Sequence, residues 1–137
     1  EPLPVAYHSL VEYSILASVV EPFDPMEKAF HQLGARFLAD TEHLHHDWRL
    51  VQTYALSPAL RAMSHVWAAS DGATQTVAAK GAPEAVMDLC HLDEAQRAHV
   101  GSAVEALAGR HGILLSDEAP VTPGAVNPGT ILYQIAL

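Results

Sequence analysis

Residues 74–90 read TQTVAAKGAPEAVMDLC, and the order strand, cation, glycine, helix start in that stretch organises the chain. A strand over residues 74–79 delivers Lys80 to the point where the backbone turns. Gly81 has no side chain to hold a ligand away from the main chain, and Pro83 fits the first helical turn, where an N–H is not needed. A helix is expected over residues 83–91, with Val86, Met87, Leu89 and Cys90 on its buried face. An ammonium group beside free helix-terminal N–H groups suits an anion. The same pattern also serves as a plain strand-to-helix connection with a solvated lysine.

Upstream, Ser70-Asp71-Gly72 predicts a hairpin turn, and strands are expected over residues 50–56 and 63–68, with residues 57–61 as the loop between them. A helix over residues 7–20 places Leu10, Tyr13, Leu16 and Ala17 on one face and ends at Glu21-Pro22. Asp24 caps a second helix, with Pro25 at its first position and Glu27 three residues after the cap; it runs to about residue 33, where Gly34 stops or kinks it. Residues 36–49 read as a surface connection. Downstream, Asp93 and Gln96 form a capping box ahead of Val100, Val104 and Leu107, and Gly109 marks the end of that helix. A short strand over residues 113–115, a Pro/Gly-rich loop over 116–130 and an apolar strand over 131–137 complete the pattern. The order of elements predicts an α+β fold, with a mainly antiparallel β-sheet flanked by helices.

Composition narrows the partners. The 137 residues suffice for one domain with its own core, and one domain over residues 1–137 is the expectation. Sixteen acidic residues against seven basic ones give a formal charge of −9, which argues against nucleic acid or an anionic membrane surface as a general partner. Any anion is therefore captured locally. Cys90 is the single cysteine, so an internal disulfide is excluded and a reducing compartment fits. No apolar run reaches the ~18–20 residues that span a bilayer. A chain that opens on Glu1 rather than Met is expected to be a piece excised from a longer protein.

Three motifs in order, Asp24-Pro25-Met26-Glu27-Lys28-Ala29, Leu56-Ser57-Pro58-Ala59-Leu60-Arg61-Ala62-Met63-Ser64 and Lys80-Gly81-Ala82-Pro83-Glu84, resemble the nucleotide-binding domain of P-type cation-transporting ATPases. The resemblance covers residues 9–107 and extends more loosely to the end, where residues 131–137 look like the strand that returns to the phosphorylation domain. The Lys-Gly-Ala-Pro-Glu form points to the calcium-pump-like and related branches. The His-Pro and glycine motifs of the heavy-metal branch are not found. The resemblance implies a cytoplasmic domain of an integral membrane protein, which binds ATP (Mg-ATP in the full-length protein). It would present the γ-phosphate to an aspartate on a separate phosphorylation domain. That aspartate's Asp-Lys-Thr-Gly-Thr motif and the actuator domain's Thr-Gly-Glu are absent from these residues, so the chain alone is not expected to hydrolyse ATP or move ions. Its implied partners are ATP and the phosphorylation and actuator domains of the same parent chain.

By position, Glu27 matches the acidic residue that accepts from the adenine amino group, and Lys80 the lysine at the inner end of the adenine pocket. Gly81 and Ala82 let the base approach the backbone. Leu56 stands where many relatives have a stacking phenylalanine, Met63 is a further nucleotide-binding candidate, and Arg61 matches a lysine that approaches the phosphates. Relatives carry an arginine in a Gly-x-Arg-Val-Leu strand, whereas Gly109-Arg110-His111-Gly112-Ile113-Leu114 places Arg110 one position early. Each residue also has a plain structural reading: Glu27 completes its helix cap, Leu56 and Met63 belong to the core, and Arg61 is a surface arginine. The cluster Glu42-His43-Leu44-His45-His46-Asp47 has two readings of its own, a solvated histidine loop or part of a transition-metal site. The latter sustains an alternative function, a non-enzymatic histidine-rich metal-binding or interaction domain.

Overall fold

The computed structural model describes residues 2–111, without the side chains of Arg110 and His111; the expected strands and loop over residues 113–137 lie outside them. The elements run α1 (His8–Leu16), α2 (Pro25–Phe37), β1 (Arg49–Tyr54), β2 (Ala62–Ala68), β3 (Gln75–Gly81), α3 (Pro83–Leu89) and α4 (Glu94–His111), with a 3-10 turn at Val5–Tyr7 leading into α1. Residues 2–80 belong to one compact unit and residues 81–111 to another. The fold is α+β with an antiparallel sheet in the order β1-β2-β3.

In the first unit, α1 ends four residues earlier than its apolar pattern predicts. Ser14 donates to the Leu10 carbonyl and Ser18 to the Ser14 carbonyl, each at 2.6 Å, and such side-chain bonds compete with helix continuation. The carbonyl of Leu16, the last helical residue, instead accepts from His65 Nδ1 at 3.0 Å and Trp67 Nε1 at 2.8 Å. Leu16 and Ala17 are buried as expected, but Val11, Ser14 and Ser18 join them while Tyr13 is exposed.

Asp24 starts α2 as predicted, its Oδ1 accepting from the N–H groups of Met26 at 2.8 Å and Glu27 at 3.1 Å. Gly34 neither stops nor breaks this helix, which continues to Phe37. It is a packing glycine: a Cβ there would run into the Ile15 side chain and lie 3.2 Å from Leu44 Cδ2. The absent side chain lets α1 and α2 approach, and that contact outweighs glycine's poor helix propensity.

β1 and β2 pair antiparallel through Leu50↔Trp67, Gln52↔Val66 and Thr53↔His65, with a register shift between Leu50 and Gln52. The β2–β3 turn is the predicted one. Gly72 adopts φ 70°, and Asp71 Oδ1 accepts from the N–H groups of Ala73 and Thr74, both at 2.9 Å, while its Oδ2 accepts from Thr74 Oγ1 at 2.6 Å. β3 runs two residues beyond the predicted end, so Lys80 lies within the strand. The core gathers Leu16, Ala17 and Ala78, with Trp48 and Trp67 packed against them.

In the second unit, α3 begins at Pro83 and ends at Leu89, two residues early, and His91 takes φ 50° in the turn that follows. Val86 is buried but Leu89 is 39% exposed, so the expected apolar face is narrower than its pattern. The capping box forms: Asp93 Oδ1 accepts from Gln96 N at 2.8 Å and Gln96 Oε1 from Asp93 N at 3.0 Å. α4 then continues through Gly109 to His111 rather than ending at the glycine.

Replacing Gly34 with leucine is expected to destabilise the protein by about 1–3 kcal/mol in denaturant unfolding, the usual cost of overpacking. The hydrogen bond from the Thr74 hydroxyl, followed by those from the Thr74 and Ala73 N–H groups, holds the Asp71 carboxyl below its ordinary value of 3.8. A depressed carboxylate contributes stability above its unfolded value and loses it as pH falls through the folded one. The stability difference between wild type and Asp71→Ala, followed by acid titration, should therefore persist above pH 4 and shrink below it.

Candidate functional site

Lys80 occupies the core-facing side of β3. Thr76, Ala78 and Lys80 alternate with the exposed Gln75 and Val77, and Ala78 packs against the end of α1. The ammonium is thereby drawn into the interior, its side chain only 8% exposed. A buried charge needs a partner, and α2 supplies it. Glu27 Oε1 accepts from Lys80 Nζ, and the Glu27 side chain is 7% exposed.

The local sequence explains how Glu27 arrives there. Asp24 and Pro25 set the first turn of α2, which puts Glu27 at its third position with its N–H bonded back to the cap. Its carboxylate turns inward to Lys80. Two residues 53 positions apart, both singled out from sequence, thus meet in one buried ion pair.

The other sequence-predicted residues divide. Met63 is half-buried on the β2 face that also carries His65 and Trp67; Trp67 joins the cluster around Ala78, so Met63 and Lys80 share a side of the sheet. Leu56 is 65% exposed in the β1–β2 connection, which excludes the core alternative for it. Arg61 is exposed just before β2. That connection is shaped by Ser57 and Leu60, each N–H bonding the other's carbonyl at 3.1 and 3.2 Å. Gly81 ends β3 and Ala82 caps α3, both half-buried. The Arg110 side chain lies outside the described residues.

A second polar cluster departs from its sequence reading. The histidine segment is not a solvated loop: His43 Nδ1 and His45 Nε2 each donate at 2.6 Å to a different oxygen of Glu12 on α1. The three side chains are 20%, 15% and 14% exposed. His45 stacks on Trp48 with ring centroids 3.6 Å apart, and His43 meets His8 edge-on at 5.4 Å. The alternation of His43 and His45 was the available signal, since in extended backbone it puts two rings on one side. Their acceptor, 31 and 33 residues upstream, carries no local signature. Among the described residues, no three His, Cys, Asp or Glu side chains are arranged to hold a metal ion. Burial pushes the Cys90 thiol up, away from the reactive thiolate.

Among the described residues no helix is long and apolar enough to cross a membrane. The chain matches no protein-family model, and comparison with curated proteins and with solved structures gives no match.

Removing one partner of the buried pair strands the other's charge. Glu27→Leu or Lys80→Met alone is expected to cost about 3–5 kcal/mol in chemical denaturation, and the double substitution much less than the sum of the two. Additive losses would show that the pair is not coupled.

Proposed function

We propose that this chain is an ATP-binding domain of a P-type cation-transporting ATPase, holding the adenine end of the nucleotide beside Glu27 and Lys80. The observation that carries this reading is the buried meeting of those two residues, each located by a different sequence motif. Two of the three motifs that resemble the family converge on one point. Each group keeps capacity beyond their mutual bond: the carboxylate's second oxygen can accept from an exocyclic amine, and the ammonium's further N–H groups can donate to a ring nitrogen. Met63, on the same side of the sheet, adds apolar surface for the base.

The roles of Gly81, Ala82 and Arg110 stand on the resemblance alone. Leu56 and Arg61 lie toward solvent, as suits residues that meet a ligand arriving from outside. In this reading the triphosphate extends from the domain toward the phosphorylation domain of the parent chain, where Mg-ATP would react. The chain itself binds and presents; the chemistry belongs to the aspartate elsewhere. Partial burial of the ligand makes the affinity modest.

Leu56 offers apolar contact without aromatic stacking, a difference of about 0.5–1.5 kcal/mol. Titration with ATP should perturb amide signals at Glu27, Leu56, Met63 and Lys80, and Leu56→Phe should tighten binding by about two- to tenfold. A spectrum that does not respond to millimolar ATP would remove this assignment.

A further inference from the structure

The Glu12 cluster takes no part in the proposed nucleotide site, and its geometry calls for an explanation of its own. One carboxylate on α1 accepts from two imidazoles of the connection between α2 and β1. We propose that Glu12, His43 and His45 form a proton-operated latch that fastens residues 41–47 to α1 and tightens in mild acid.

Three observations carry the proposal. Both rings face the carboxylate at 2.6 Å, so each already spends one N–H on Glu12: Nδ1–H in His43 and Nε2–H in His45. A further proton on either ring leaves that bond in place and puts a full positive charge opposite the carboxylate. Each bond is already charge-assisted through the carboxylate, and a proton on the ring adds direct attraction between opposite charges.

The second observation is what faces the remaining nitrogens and ring planes. His43 Nε2 is 3.8 Å from Glu42 Oε1, so an imidazolium at His43 lies between two carboxylates. His45 lies flat on Trp48 with 13° between the planes, and a cation over an indole face is attracted to it. His8 on α1 approaches His43 edge-on and bonds the Leu3 carbonyl through its Nε2 at 3.0 Å. Among the described residues, Glu12 lies within ion-pair distance of both latch histidines and Glu42 within ion-pair distance of His43. Two carboxylates therefore face His43, and one carboxylate and an indole face meet His45.

The third is the burial and position of the cluster. All three side chains are more than three-quarters covered, so the pair is weakly screened by salt. Trp48, stacked under His45, also packs against Leu16, Ala17 and Ala78, so the latch bears directly on the core that supports β3. Histidine as a residue type ordinarily changes charge between pH 5 and 8, so pH 6 against pH 8 is the comparison that tests the latch.

Amide hydrogen exchange of the full chain at pH 6 and pH 8, corrected for intrinsic rates, tests the latch. Wild-type protection over residues 41–47 should be about fivefold greater at pH 6. Glu12→Gln, which keeps an acceptor oxygen but no charge, should lose that difference. Equal wild-type protection at the two pH values, or an unchanged difference in Glu12→Gln, overturns the proposal. A difference abolished by EDTA assigns the cluster to a metal ion and also overturns it. Should Glu12→Gln fail to fold, ring nitrogen spectra of the wild type decide: Nδ1–H for His43 and Nε2–H for His45 at pH 8 support the latch, and the opposite tautomers refute it.

Discussion

A lysine on the core side of a strand has to find a negative charge, and much of the first unit is arranged around how Lys80 finds one. β3 alternates, so the register that buries Ala78 against Leu16 and Ala17 also buries Lys80. The partner comes from α2, whose start is set by the Asp24 cap and Pro25. Lost strand register or a shifted helix start would leave one of the two charges buried alone, at a cost of several kcal/mol. The pair therefore couples the helix start to the sheet, and it leaves an acceptor and a donor together at one interior point.

The Leu16 carbonyl does similar work at the end of α1. A helix ends with carbonyls that lack an internal partner, and here one of them is taken by His65 and Trp67 from the central strand. Those two bonds stop the helix and join it to the sheet face that carries Met63. The Glu12 cluster then ties the α2–β1 connection to the same helix. Long-range side-chain bonds, rather than propensity, decide where α1 ends and where the connection lies.

That distinction accounts for what could be read from sequence. Local chemistry was legible: the Asp24 cap, the Asp71-Gly72 turn and the Asp93–Gln96 box each form with the bonds their residue types imply. The three strands were located to within two residues, because alternation and turn residues act over short spans. Non-local events were not legible. Gly34 resembled a helix stop until its neighbour Ile15 was known, and the histidine segment resembled a solvated loop until Glu12 was. Of the candidate site, sequence identified Glu27 and Lys80, but their direct pairing depends on elements 53 residues apart. Tyr13 was misplaced because α1 packs through its serines as well as its apolar residues.

In the function we propose, Glu27 and Lys80 receive a base rather than a phosphate. This is tested most directly by following the side-chain signals of Glu27 and Lys80 while adenosine and inorganic tripolyphosphate are added separately. If they receive a base, adenosine moves both signals and tripolyphosphate leaves them in place. Movement of the Lys80 signal with tripolyphosphate, and none with adenosine, would contradict that and make Lys80 a phosphate contact.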